Sequence, residues 1–205
     1  MQIDEKIINL FPTPVYKYNI KRDFEKQELE FFQKIETKIN YGNVSSVEQY
    51  VLNNDILKDL KEELEKRLKE YFLTVYKPSD VEIYITQSWL NYSEAGQHHH
   101  KHCHPNSILS GVLYIEAAEE ADKIFFYKRE YQQISIKPTE FNIWNSDSWW
   151  LPVGTGDLVL FPSSMDHMVE SVEKNNNRNK RISLAFNTFV KGTMGSYGAS
   201  SELKL

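Results

Sequence analysis

The chain has 205 residues, 40% of them hydrophobic and 26% charged, with a formal net charge of −5 and one cysteine. A chain of this size buries roughly 70% of its unfolded surface, enough for one substantial core but not for two ordinary domains, so a single domain over residues 1–205 is expected. The acidic balance, with no Lys/Arg block, excludes a broad face for extended nucleic acid; the lone Cys103 excludes an intrachain disulfide; the missing secretory or membrane-spanning run predicts a cytoplasmic protein without membrane contact.

In chain order, Leu10 to Ile20 reads as an extended arm, because Pro12 and Pro14 forbid helix. From Asp23 to about Ile39, Phe24, Leu29, Phe32, Ile35 and Ile39 recur near one face at helical spacing and predict a first helix. Asn54 or Asp55 caps a second, which carries Leu57, Leu60, Leu64, Leu68 and Tyr71 and ends before Pro78. After Val81 the period changes. VEIYITQSWLNY, SILSGVLYIEA, KIFFYK, FNIW, DLVLF, HMVESV and RISLAFNTFV are short runs rich in β-branched and aromatic residues. Arm and helices therefore fill 1–78, a β-rich core 79–191 and an irregular tail 192–205. Two helices ahead of seven or eight strands, without alternating α and β units, fit a mainly β sandwich or jelly roll with the helices on one outer face. The polar run from Lys174 to Lys180 reads as an exposed hairpin loop, and Trp144, Trp149 and Trp150 read as core before a substrate platform, with Asp147 and Ser148 leaving a cavity rim as the other reading.

Five of the six histidines lie between His98 and His104, just ahead of the strand candidate SILSGVLYI. On an extended segment His98, His100, His102 and His104 share one face, and His99, Lys101 and Cys103 the other. Two histidines one residue apart can thus reach the same metal ion; a solvated surface loop is the competing reading. Cys103 reads as a small buried or half-buried thiol, His100 as lining the mouth of a site, and His98 and His99 as solvated as readily as not. A catalytic mononuclear centre needs a third protein ligand and open positions besides, and only His167 remains to supply it. Arg181 follows fourteen residues later. Alternation places Arg181, Ser183, Ala185 and Asn187 on one face of a strand, where an arginine fork suits a carboxylate inside a cavity.

These residues resemble the iron(II)- and 2-oxoglutarate-dependent oxygenase superfamily, whose motif is a His-x-carboxylate pair, a distal His and a later Arg. The approach from Tyr92 to Gln97 looks like that of the prolyl hydroxylase members. LFPTPVY, HCHPNSILSGVLYI, GDLVLFPSSMDHMV and RISLAFN look like an oxygenase set found in bacteria and bacteriophages. The resemblance implies a double-stranded β-helix, the cupin-like jelly roll, with Fe(II) on His102, His104 and His167. It implies 2-oxoglutarate as cosubstrate, held at its distal carboxylate by Arg181 and Ser183 with Asn91 as a further contact, and molecular oxygen as oxidant. The implied reaction hydroxylates a small molecule or a protein side chain and yields succinate, in the host cytoplasm if the gene is a phage's. His104 stands where most of the superfamily has a carboxylate, and Asp166, next to His167, would face the other way. Two alternatives follow: a cupin-like metalloenzyme using the three histidines without 2-oxoglutarate, and a non-catalytic jelly-roll assembly protein. The arm and the sheet edges also suit a homodimer.

Overall fold

The computed structural model describes residues 7–129, 136–171 and 180–205. Its alternating apolar segments form a large antiparallel sheet in the order β1 (Tyr16–Asn19), β9 (Asp157–Pro162), β6 (Leu109–Glu116), β11 (Lys180–Met194), β4 (Val81–Glu94), β3 (Val44–Ser46) and β2 (Thr37–Ile39), with β12 (Leu203–Lys204) paired to the end of β11. A smaller antiparallel sheet runs β5 (His99–His102), β10 (Asp166–Val169), β7 (Lys123–Tyr127) and β8 (Ser148–Pro152).

The period-two pattern decides what lies between the layers. On β11, Ile182, Leu184 and Phe186 point outward into a cluster with Leu90, Leu109, Leu113, Leu158 and Leu160. Helix α2 (Lys58–Tyr76) covers that face with Leu60, Leu64, Leu68, Tyr71 and Phe72, and α1 (Lys26–Lys34) adds Phe32. The opposite face of the large sheet sends Tyr114, Val159 and Phe161 against Ile124 and Phe126 of the small sheet. Two facing antiparallel sheets with helices on one outer side make a mainly β jelly roll, the double-stranded β-helix. No helix among the described residues is long and apolar enough to cross a membrane.

Several sequence expectations need correction. The first helix stops at Lys34, and Thr37–Ile39 and Val44–Ser46 form a hairpin on the sheet edge, with Ile39 93% exposed instead of packed. FNIW is not a strand; the neighbouring SWWLP is, and Trp144, Trp149 and Trp150 are 55%, 41% and 41% exposed instead of core. β8 is an outer strand of the small sheet, and Trp149 and Trp150, on opposite faces of it, are both left partly exposed. The tail is less irregular than expected, because β11 runs to Met194 and pairs with β12. The Lys174 to Lys180 loop lies outside the described residues except at Lys180, which begins β11.

Gly111 on β6 pairs with Phe186 on β11, and a Cβ there would stand 2.1 Å from the Phe186 ring. Phe186 is fully buried under the helices and has little room to yield. Gly111→Ala is therefore expected to lose about 1–3 kcal/mol of stability by overpacking, measured as the shift of a chemical denaturation midpoint; an unchanged midpoint would contradict this packing.

Candidate metal centre

His102 ends β5 and lies directly opposite His167 on β10 in antiparallel register, so both side chains leave the same face of the small sheet. Their ring centroids are 4.3 Å apart. His104 follows where the chain leaves β5, anchored by its backbone N–H donating to Ser163 O at 2.9 Å. Its ring lies 4.9 Å from that of His102 and 5.1 Å from that of His167. One nitrogen from each of the three falls within 4.8 Å of the others.

Hydrogen bonding orients these rings so that they could serve as ligands. His102 Nδ1 is 2.7 Å from His100 O, His167 Nδ1 is 3.0 Å from Met165 O, and His104 Nδ1 is 2.6 Å from Asn187 Oδ1. Each partner is a carbonyl oxygen, which only accepts, so each Nδ1 carries the proton and donates it. The lone pair of each neutral ring is then at Nε2. The Nε2 atoms of His102 and His104 stand 3.1 Å apart, close to the roughly 3.0 Å that separates two nitrogens bound at about 2.1 Å and at right angles on one ion. Burial pushes His102 down to about 4 and His167 down to about 3, and it also holds His104 below its ordinary value. Burial thus favours the uncharged ring in all three, and the residues present fit a divalent metal ion.

The surroundings hold the rings in place. Trp89 stacks on His104 at 5.5 Å and Phe161 meets His167 edge-on at 4.6 Å. Ser110 Oγ donates to the same Asn187 oxygen that receives the His104 proton, at 3.1 Å. His99 and His98 are half-buried, and the His99 ring stacks on His102 at 4.6 Å instead of pointing away. His98 N donates to Gly42 O, and His100 Nδ1 reaches Tyr41 O at 3.3 Å, so the edge hairpin braces the start of β5. Cys103 is half-buried. Asp166 faces away from the centre and is held by Arg129 through contacts of 2.9 and 2.6 Å.

A groove of about 480 Å³ opens on the centre. Lys38, Asn40, Gln49, Gln87, Trp89 and Asn106 are among its walls, with His99, His100, His102 and His104 at its floor. Arg181 and Ser183 are not among them. Both do face inward, as alternation on β11 required, and Ser183 sits between Asn91 on β4 and Tyr114 on β6. Asn91 faces this interior, while its neighbour Tyr92 points to the helices and donates to Phe32 O at 2.5 Å.

Arg181 already has a carboxylate. Its Nη1 donates to Asp122 Oδ1 at 3.0 Å and to Glu170 O at 3.1 Å, and the two side chains are 4% and 3% exposed. Asp122 Oδ2 accepts the Ala118 N–H at 2.9 Å. Arg181 Nη2, the Tyr114 hydroxyl and Asn91 Oδ1 are buried without a hydrogen-bond partner among the described residues. A dicarboxylate cosubstrate does not fit this arrangement as well as the metal does, because the arginine's charge is matched within the chain and the groove at the histidines does not reach it.

Residues 87–187 match the family described as "Putative 2OG-Fe(II) oxygenase". No curated protein matches the sequence. Among solved structures, an oxidoreductase of the 2OG-Fe(II) oxygenase family from Burkholderia pseudomallei shares 12% identity over 85% of this chain and 83% of its own, with a TM-score of 0.58. HygX from Streptomyces hygroscopicus, solved with nickel and 2-oxoglutarate, shares 9% over 86% and 82% with a TM-score of 0.59. A Pseudomonas putida prolyl-4-hydroxylase shares 12% over 85% and 92% with a TM-score of 0.54. At these identities the three structures speak for the fold alone.

Asn187 was visible beforehand only as one of the inward positions of its strand. Its expected role is to fix the His104 ring. Asn187→Ala should weaken binding of a divalent ion about 10–100-fold, the usual effect of losing such a partner, read by competition against a chromophoric chelator; undiminished affinity would show that the ring is held by Trp89 alone.

Proposed function

The chain belongs to the Fe(II)/2-oxoglutarate oxygenase superfamily, and from that premise we propose a metal-dependent enzyme whose centre is cupin-like: three histidines, working without 2-oxoglutarate. The observation that carries this reading is the ligand set itself, His102, His104 and His167, which no carboxylate joins among the described residues. Neutral imidazoles add no negative charge, so a divalent ion would keep its full charge toward whatever binds beside it. Bound there, such an ion supplies Lewis-acid or redox chemistry at its open positions.

The protein's own contribution is orientation and access. His100 O, Met165 O and Asn187 Oδ1 keep the Nε2 lone pairs on one point. Trp89 and Phe161 exclude water from the backs of two rings. The walls of the groove offer carboxamides from Asn40, Gln49, Gln87 and Asn106 and the Lys38 ammonium, which suits a polar substrate, whether a small molecule or a protein side chain.

A second reading, hydroxylation driven by 2-oxoglutarate with iron(II) and oxygen, is favoured by one observation: Arg181 Nη2 and the Tyr114 hydroxyl are buried donors without acceptors. A distal carboxylate would satisfy both, and Ser183 and Asn91 lie in the same row. One experiment separates the readings. Chelator-stripped protein should take up one equivalent of Fe(II), His167→Ala should not, and iron-loaded protein given 2-oxoglutarate in air should form no succinate beyond its metal-free control. Sustained succinate formation that Arg181→Ala abolishes would overturn the first reading in favour of the second.

A further inference from the structure

The groove that opens on the three histidines carries one sign of charge. Lys38 lines it, and no aspartate, glutamate or arginine does so among the described residues. Lys38 pairs with no carboxylate elsewhere among them either. Its direction follows from register. Lys38 lies opposite Ser45, and Ser45 opposite Asn91, in antiparallel pairs, so the three leave the same, inward face of the large sheet. The hairpin that carries Lys38 is also tied to the strand that carries His102. Gly42 O accepts from His98 N at 3.1 Å, and Tyr41 meets the His100 ring edge-on at 5.0 Å. A Cβ at Gly42 would stand 2.8 Å from His98 O, and its φ of +89° favours glycine as well, so the close approach depends on this residue. On the facing wall, β4 bulges at Thr86, which the register with β11 skips between Ile85 and Gln87. The bulge lets Thr86 and Gln87, neighbours that strict alternation would send to opposite faces, both line the groove.

Resting on the three-histidine reading without 2-oxoglutarate, we propose that the substrate is a small polar carboxylate whose negative charge sits on Lys38, which makes Lys38 the specificity-determining residue of the groove. Three neutral imidazoles leave the charge of a divalent ion unreduced, Lys38 adds a second positive charge, and no described wall residue supplies a negative one. A cleft lined by one sign of charge concentrates ligands of the other. One ammonium matches the single charge of a carboxylate, whereas a phosphate monoester brings about −1.5 to −2. The side-chain amides of Gln87 and Asn106 make no hydrogen bond among the described residues and are left to bind the polar groups of the substrate.

The test uses Co(II)-loaded full-length protein, whose visible absorption changes as a ligand enters the metal's shell, and hydroxamates, which chelate metal through one end. The monohydroxamates of succinate and glutarate end in a carboxylate; pentanohydroxamate and hexanohydroxamate carry apolar tails of similar length. Wild type should bind an acid-tailed probe about tenfold tighter than its apolar counterpart, as for a hydrogen bond between charged partners at a partly solvated site. That preference should shrink as salt is added, a readout that needs no variant to fold. Lys38 is exposed, so the fold does not depend on its side chain. Lys38→Met should bring the two tails to within about twofold, and Lys38→Arg, which keeps the charge, should retain the preference. Equal affinities for both tails in wild type, or a preference that Lys38→Met leaves intact, would overturn the proposal and leave the three-histidine centre standing, since the probes still bind. Protein that takes up no cobalt, or whose cobalt spectrum no probe alters, would remove the centre and the proposal with it.

Discussion

Three hydrogen bonds from imidazole Nδ1 to carbonyl oxygens govern the whole site. They fix the tautomer of His102, His104 and His167 and therefore where each lone pair points. Their acceptors come from different parts of the fold: the β5 backbone, the turn before β10, and the Asn187 side chain in the middle of β11. The centre thus exists only when the small sheet is laid against the large one in a single register. A one-residue slip of β10 against β5 would send His167 to the outer face. Packing between the sheets, through Tyr114, Phe126 and Phe161, and helix packing behind β11 are what hold that register.

Charge is the second constraint. A divalent ion on three neutral rings is less compensated than one whose shell includes a carboxylate, and a buried excess of positive charge is costly. The nearest acidic candidate in sequence, Asp166, does not relieve it, being turned outward to Arg129. Within the interior Asp122 pairs with Arg181, and the buried Asp157 pairs with Lys17. For a metal ion held there, an anionic ligand would be a further source of balance, which agrees with a groove whose described walls hold Lys38 and carboxamides but no acid.

Much of this was legible in the residues. The change from helical spacing to alternation at Val81 located the sheet, and alternation along RISLAFN correctly sorted Arg181, Ser183 and Asn187 from Ile182, Leu184 and Phe186. Such readings succeed where one face of an element is buried and the other is not. They failed at Thr37–Ile39 and Val44–Ser46, where three-residue strands are too short to show a period, and at SWWLP, where aromatic bulk suggested core although the strand borders its sheet. Asp122 was illegible for a different reason. It belongs to a run of acids that looks like a solvated turn, and only tertiary contact with a strand 59 residues further on reveals its partner. The stacking of His99 on His102 likewise depends on where the chain bends, which a repeat of identical residues does not disclose.

The central claim is that the metal shell consists of three imidazoles and no carboxylate. X-ray absorption at the metal edge of Fe(II)-loaded protein tests it most directly, with His104→Asp as the internal reference. The account predicts outer-shell scattering from three imidazoles in wild type and from two in the variant. Two imidazoles and a carboxylate in wild type, or identical spectra for the two proteins, would contradict it.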